Sequence, residues 1–436
     1  MSSETQMSRC IITKQGWLRT VEDYVARWCD SRLFSGSVLV AYDGVITLDR
    51  AFGLADLQSG CSNTSDTIFP VGCITKQFTA AGILLLHDLA KLDISDAIST
   101  YLPECPRGCE SVTIHHLLTH TSGLATSNQQ VGSAIRFEKQ SRCDCDLFDL
   151  TFEALPGTRF RYSNLGYAVL GRIIEVVGEA LYDDFVAKNI FRVLDMHSTS
   201  NYLPCTRSRL AVGHTSDGIS IIPYSPLEAP RCPAWGSTYS TARDLFAWDK
   251  ALHGGLVLQE DSLRKMFTPY QARYGYGWYI QVHKGHRMFA HAGDAPGYAT
   301  FLCRFPDEHL SITVLSNIMV QVAHTIALGI AGILLGYDID SYQPRAMARL
   351  DSSAYSQYVG RYTISSGSFV DIDAGQQSLI AKVNDRPVRL YPLSQRRFFS
   401  YTSPVEVEFV LGQDCTVTDA HFYADGVMLR GVRTSS

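Results

Sequence analysis

The sequence predicts an α/β (α+β) protein: an antiparallel sheet flanked by helices and carrying a helical subdomain, then a small all-β module. Three observations predict it. Apolar residues at helical spacing (Trp17, Leu18, Val21, Tyr24, Val25, Trp28) precede a strand hairpin, Ser37–Ala41 and Val45–Phe52, joined at Tyr42-Asp43-Gly44. Helical patterns fill the middle of the chain, and after about residue 273 they give way to successive strands. From Tyr355 to the end come short alternating segments, spaced as in an antiparallel sandwich or barrel.

Taken in order, residues 16–33 form the first helix, and the hairpin follows. Cys73 to Leu92 reads as a mostly buried helix, because Ala80, Ala81, Ile83, Leu84, Leu85, Leu86 and Leu89 cover much of its circumference. Residues 113–120 add a short helix. Residues 125–150 are polar and cysteine-bearing, without clear period, and read as a loop or lid. Residues 164–179 and 182–195 are helical. Tyr274–Val282, Arg287–His291, Thr300–Phe305 and Leu310–Ser316 are strands, Ala323–Leu335 is a helix, and residues 337–352, with Pro344, are a linker. The tail strands are Phe369–Ile372, Leu379–Val383, Val388–Tyr391, Val405–Leu411, His421–Tyr423 and Val427–Val432. No internal repeat is visible.

At 436 residues the chain suits a large domain plus an accessory module. Its 46% hydrophobic and 19% charged residues are those of a soluble globular protein. A net charge of -5 and a pI near 6.2 give no reason to expect a nucleic-acid partner. Met1-Ser2-Ser3-Glu4-Thr5-Gln6 lacks a basic region leading into an apolar run, so no signal peptide is expected. Later apolar stretches such as Ile326–Leu335 are too short to span a bilayer. The expectation is a cytoplasmic protein with no membrane partner. Its twelve cysteines then fit free thiols better than a disulfide framework. Cys143-x-Cys145 and Cys105-x-x-x-Cys109 lack paired zinc-ligand spacing, and neither His-Glu-x-x-His nor a Gly-rich phosphate cradle is present. No metal and no cofactor is expected.

The candidate chemistry begins at Cys73. Phe69-Pro70-Val71-Gly72-Cys73-Ile74-Thr75-Lys76 places a thiol three residues before a lysine at a helix start. Positions i and i+3 share a helix face, and both the helix N-terminus and a nearby cation favour the reactive thiolate. Alone, Cys-x-x-Lys more often marks a structural cysteine beside a solvated lysine. Tyr162-Ser163-Asn164, just before a helix, puts a phenol and an amide two apart, able to face one cleft. The phenol could shuttle a proton if nearby cations lower its pKa. His291-Ala292-Gly293-Asp294 lies between strands, where a small residue and a glycine let a substrate backbone approach closely.

In this order the three elements resemble the penicillin-recognising serine hydrolase superfamily, with its Ser-x-x-Lys, Tyr-x-Asn and Lys-Thr-Gly or His-x-Gly motifs. The nearest branch is similar to class C β-lactamases, esterases and D-aminopeptidases. Gly36-Ser37-Val38-Leu39-Val40, Thr113 through Leu124, Tyr162 through Tyr167 and Gly236 through Leu245 carry the same likeness, over about residues 15–335. The resemblance implies a β-lactamase/penicillin-binding-protein-like catalytic domain over residues 1–340 and a lipocalin-like β-barrel accessory module over residues 350–436. The N-terminal hairpin and the late strands must then share one sheet.

Carried over residue by residue, Cys73 matches the nucleophile, Lys76 the adjacent base and Tyr162 the proton-transfer tyrosine. Asn164 matches the residue that binds the substrate amide or positions the lysine, and His291 and Gly293 match the third motif. The oxyanion hole maps to the backbone N–H groups of Cys73 and Asp294. His115, His116 and His120 match a helix-and-turn element and read as structural. Three departures stand out. The nucleophile is Cys, His-x-Gly removes one cation from the usual site, and Trp235 fills a position that is usually small.

The cysteine admits three explanations. A native cysteine enzyme would form a thioester that passes readily to an amine or thiol as well as to water. A serine enzyme carrying an engineered Ser-to-Cys change would keep the site's shape. A catalytically retired ligand-binding module would keep only the fold, although the intact Lys76, Tyr162 and Asn164 speak against it. In the first two, Lys76 and Tyr162 deprotonate Cys73, the acyl-enzyme forms, and an acceptor resolves it. The implied partner is a small-molecule acyl donor (ester, amide, thioester or lactam) with an amine, a thiol or water as acceptor.

Overall fold

The structure, a computed structural model, describes residues 14–106, 108–125, 150–204, 207–216, 221–224, 233–345, 347–364, 368–375, 378–383, 386–401, 405–412, 416–424 and 427–434. The expected lid over residues 125–150 lies outside them but for its two end residues. Short interruptions aside, the chain divides into two compact units, one running to Tyr342 and the other from Gln343 onward.

The larger unit is built on one antiparallel sheet. Helix α1 (Lys14–Asp30) leads into β1 (Gly36–Tyr42) and β2 (Val45–Phe52). Asp43 and Gly44 both take positive φ, 49° and 73°, as a two-residue type I′ hairpin turn requires. The other strands come much later: β3 (Tyr279–His283), β4 (His286–Ala295), β5 (Tyr298–Phe305) and β6 (Leu310–Ser316). Their order is β2-β1-β6-β5-β4-β3, so β1 pairs with β6, Val38 opposite Val314. The first and last parts of the unit therefore share one sheet, as the hairpin and late strands require.

Alternation along the strands sends side chains to two faces. Leu39, Ala41, Leu302 and Leu315 face the main apolar cluster. That cluster draws on α2 (Thr75–Asp88), α3 (Ile114–Leu118), α4 (Asn164–Gly178), α5 (Tyr182–Val186), α6 (Ala242–His253) and α7 (Glu260–Met266). The other face meets α8 (Ala323–Leu335), where His324 sits edge-on to Phe301 at 4.9 Å. Helix α1 packs on α8 so closely that a Cβ on Gly329 would collide with the Tyr24 hydroxyl.

Several boundaries differ from expectation, β4 running on to Ala295 rather than ending at His291 among them, and three have a clear local cause. Helix α2 stops at Asp88 rather than Leu92, because Ala90 turns left-handed (φ 54°) and the Lys91 N–H closes back on the Leu86 carbonyl. The helix expected over 182–195 is α5 followed by a single π turn, Ala187–Phe191. Strand β3 begins at Tyr279, not Tyr274, because Gly277 (φ 78°) passes against α2, where a Cβ would lie 2.9 Å from the Gln77 Cα.

The smaller unit is a closed eight-stranded antiparallel barrel: β7 (Gly360–Ile364), β8 (Phe369–Gly375), β9 (Ser378–Val383), β10 (Arg386–Pro392), β11 (Arg397–Phe399), β12 (Val405–Leu411), β13 (Val417–Ala424) and β14 (Val427–Thr434). Closure comes from β7 on β14, with Tyr362 opposite Arg433. Tyr362, Leu379, Leu390, Phe398, Phe409 and Phe422 pack its core. Strands β7 and β11 are additions to the sequence-predicted set.

Candidate active site

Three segments converge beside the start of α2. Cys73 lies in a single 3-10 turn, Gly72–Ile74, that runs straight into α2. Thr75 anchors the junction, its hydroxyl donating to the Gly72 carbonyl at 2.7 Å and accepting from the Thr238 N–H at 3.2 Å. Cys73 is partly accessible, whereas Lys76, one turn on, is fully buried. A buried ammonium has to find polar partners. Lys76 Nζ donates to Asn164 Oδ1 at 2.8 Å and to the Trp235 carbonyl at 3.0 Å. It also lies 4.9 Å from the Tyr162 ring centroid and 5.7 Å from that of Trp235, within cation–π range.

The Tyr-x-Asn spacing works because Ser163 is the N-cap of α4. Its backbone is extended (φ -135°, ψ 115°) and its hydroxyl accepts from the Gly166 N–H at 3.1 Å. Extended geometry sends residues two apart to the same side, so Tyr162 and Asn164 both reach the α2 start. The Tyr162 hydroxyl is buried and makes no hydrogen bond of ordinary geometry. Burial first, and then the Cys73 sulfur facing it, push its pKa well above the usual phenol value. The condition that cations lower this pKa is thus not met: desolvation dominates, and Tyr162 rests as a neutral phenol.

The third segment is the end of β4. Its pairing with β3 ends at Ala290, so His291–Ala295 extends past that neighbour and runs beside the cysteine turn. A Cβ on Gly72, which holds φ 53°, would lie 2.7 Å from the Asp294 nitrogen. A Cβ on Gly293 would collide with the Val71 carbonyl oxygen. Glycine at both positions is what allows the cysteine turn and β4 to touch. The Asp294 side chain is exposed.

His291 is buried, and both ring nitrogens are engaged. Nδ1 lies 2.6 Å from the Ala292 carbonyl, which can only accept, so Nε2 accepts from the Tyr274 hydroxyl at 3.1 Å. Burial, with Lys76 nearby, lowers its pKa to about 3. The third motif therefore contributes no charge. Trp235, in a position usually small, contributes its carbonyl as well as its ring to Lys76. Of the three remaining histidines, His115 pairs with the Tyr276 hydroxyl (2.8 Å) and His116 forms a capping box with Thr113. His120, read from sequence as structural, reaches the site: its ring lies 4.2 Å from that of Tyr162. Tyr274 was not anticipated. Only the aromatic density after residue 269 hinted at it.

Comparison with known proteins bears on this constellation. The Beta-lactamase family profile matches residues 18–332. The chain belongs to that family. It is 30% identical over 435 residues to penicillin-binding protein 4* of Bacillus subtilis, covering 92% of this chain and 95% of the relative. Among solved structures, the octameric penicillin-binding protein homologue from Pyrococcus abyssi superposes with a TM-score of 0.65 at 22% identity, over 94% of this chain and 99% of that one. D-amino acid amidase from Ochrobactrum anthropi gives 0.62 at 22% identity, over 74% and 97%. The fold is thus β-lactamase/penicillin-binding-protein-like with a C-terminal closed eight-stranded barrel, and the chain is a β-lactamase-like hydrolase-family protein. Among the described residues no cluster of side chains could hold a metal ion, and no helix is long and apolar enough to cross a membrane.

Proposed function

We propose that this protein is an acyl-transfer enzyme working through a covalent acyl-enzyme on Cys73, with a small ester, amide, thioester or lactam as donor. The observation that carries the reading is the buried Lys76, held by Asn164 and the Trp235 carbonyl and capped by the Tyr162 ring, one turn from an accessible thiol. A solvated lysine beside an inert cysteine would need none of this. In the proposed cycle the proton on the Lys76 ammonium is the one Cys73 has given up, so the resting pair is thiolate and ammonium, and the sulfur adds to the donor carbonyl. The backbone N–H groups of Cys73 and Asp294 receive the oxyanion. As the bond to the leaving group breaks, Tyr162 gives that group its phenolic proton and regains one from the Lys76 ammonium, in keeping with its resting neutral state. An acceptor then attacks the thioester, its proton returns through the same pair, and the C–S bond breaks to release Cys73.

The smaller unit serves as an accessory module from about residue 350, without catalytic residues of its own, and residues 1–340 form the catalytic domain. A cytoplasmic setting, in which its cysteines stay free thiols, is part of the same reading.

The test is intact-mass detection of adducts with a panel of activated acyl esters, amides and β-lactams. Cys73→Ala should abolish the adduct. Cys73→Ser separates a native thiol enzyme from a substituted serine enzyme: a much slower serine form supports the first, a faster one the second. If neither the cysteine nor the serine form acquires an acyl group from any donor, a ligand-binding module replaces the enzyme reading.

A further inference from the structure

Behind Tyr162 lies a buried group that the proposed cycle does not use. His120 sits in a left-handed turn (φ 57°) just after α3, at 1% exposure. Its Nδ1 accepts the Ser163 backbone N–H at 3.0 Å. Ser163 caps α4, and Tyr162 and Asn164 flank it. The imidazole is packed between Tyr162 (4.2 Å, 35° between planes), Tyr274 (4.6 Å) and Tyr167 (5.0 Å), with Phe160 edge-on at 5.8 Å. Its Nε2 is buried and makes no hydrogen bond.

Each feature is costly. A left-handed backbone is a strain that any non-glycine residue would bear here, and an unsatisfied buried donor is one that an apolar side chain would avoid. A leucine would fill the same space. What an apolar side chain lacks is an acceptor for the Ser163 N–H. That N–H is one of the donors a helix start leaves to be satisfied from outside the helix, and it belongs to the residue between the phenol and the amide.

We propose that His120 is a positioning residue: by accepting the Ser163 N–H through Nδ1 and stacking on the Tyr162 ring, it holds the Tyr162–Ser163–Asn164 turn so that the phenol meets Cys73 while the amide meets Lys76. The inference rests on the functional reading above. It assigns the histidine no contact with substrate. Accepting through Nδ1 requires an uncharged ring with its proton on Nε2. The charged and titratable groups that face His120 allow this: burial disfavours a charged ring most, Lys76 disfavours a second charge, His291 is itself uncharged, and the facing phenols of Tyr162, Tyr167 and Tyr274 are held neutral. Protonating His120 would break the Ser163 bond and place two cations behind the nucleophile.

The test compares His120→Phe, which keeps the stacking and loses the acceptor, with His120→Asn, whose side-chain oxygen can accept the Ser163 N–H and which tolerates the left-handed backbone. Two readouts separate this inference from the reading it rests on. The first is the rate of acyl-enzyme formation with an activated ester, expected to fall about 30-fold or more in His120→Phe with KM little changed, and to recover at least fivefold in His120→Asn. The second needs no acyl donor: the pH profile of Cys73 alkylation by iodoacetamide should shift in His120→Phe, while Cys61 alkylation does not. If no donor acylates the wild type, the functional reading fails and alkylation alone decides the positioning role. If both profiles match the wild type in His120→Phe, His120 is packing only. Should His120→Phe not fold, 15N-histidine NMR of the wild type decides. A neutral Nε2–H tautomer between pH 5 and 8 supports the proposal. Protonation in that range, or a proton on Nδ1, overturns it.

Discussion

The two compact units bury opposite kinds of interior. Around the start of α2 the larger unit buries Lys76, Gln77, Thr79, His120 and His291, besides Asp249 beneath the sheet. The barrel buries Tyr, Phe, Leu and Val, and its buried polar side chains among the described residues are Ser378 and Asp419, the latter paired with Arg430 at 2.8 Å. Burying a polar group costs free energy unless each atom finds a partner, and the larger unit leaves several without one, the Tyr162 hydroxyl and His120 Nε2 among them. Such local conflicts gather where a fold has been bent to chemistry. Among the described residues the barrel shows no such conflict.

The largest effect that would break this contrast is at Lys76. Lys76→Met fills the volume and removes the amine, so acyl-enzyme formation should fall about 10⁴-fold, the upper range for loss of a positioned proton-transfer group. A time course by intact mass measures it, and a loss under tenfold would mean that the buried lysine is structural. In the barrel, Phe398→Ala should cost about 3–4 kcal/mol of that unit's stability, since Phe398 is fully buried against Tyr358 and Phe409, with ring centroids 5.1 and 5.5 Å away. Calorimetry reads the cost. Cys73 alkylation should proceed unchanged in the same variant, and an altered rate would remove the division of labour.

The sequence made the polar interior legible in its ends but not in its middle. Cys73 with Lys76, and Tyr162 with Asn164, each sit on one short element whose spacing is local, but each spacing alone marks an ordinary residue more often than a site. The order of the motifs, with His291, and their resemblance to a family singled them out. The six sheet strands were legible by alternation, with β3 late by five residues. The barrel was expected from the resemblance to a lipocalin-like module, whereas the strand pattern alone left sandwich and barrel open, because β7 pairs with β14 across some seventy residues and no local pattern encodes a long-range ladder. The direction of the Tyr162 shift was illegible for a similar reason: it depends on how deeply the hydroxyl is desolvated, which is a property of the packed site. His120 lies in the Thr113–Leu124 stretch that carries the family likeness, yet its contact with Tyr162 bridges forty-two positions.

A smaller effect sharpens the contrast at the contact between β4 and the cysteine turn. Gly293→Ala drives a methyl into the Val71 carbonyl and the Thr300 hydroxyl, which itself donates to the Gly293 carbonyl at 2.9 Å and lies 3.2 Å from the Val71 oxygen. Backbone cannot yield as a flexible side chain can, so β4 must move away from Gly72. The expected cost is about 2–3 kcal/mol of stability, in the range for overpacking, and slower labelling of Cys73. Unchanged labelling would mean that the β4 backbone does not shape the cysteine turn.

The smallest expected effect is a slope in pH. His291 titrates near 3 in the folded state because it is buried beside Lys76, against about 6.5 when unfolded. Between those values the unfolded chain binds a proton that the native chain does not, so stability rises with pH in that window and is lost as pH falls below about 6.5. One pH unit is worth about 1.4 kcal/mol per such group, so between pH 6.5 and 5 the loss from His291 alone is about 2 kcal/mol. His120, whose pKa burial also lowers, acts in the same direction. His291→Gln removes one titrating ring while keeping an amide able to bond Tyr274. Its stability at pH 7 should be lower than wild type, but the drop on going to pH 5 should be smaller by about 2 kcal/mol, read by chemical denaturation at the two pH values. An equal drop in both proteins would mean that the ring is not held neutral, and the polar interior around Lys76 would then carry a second charge.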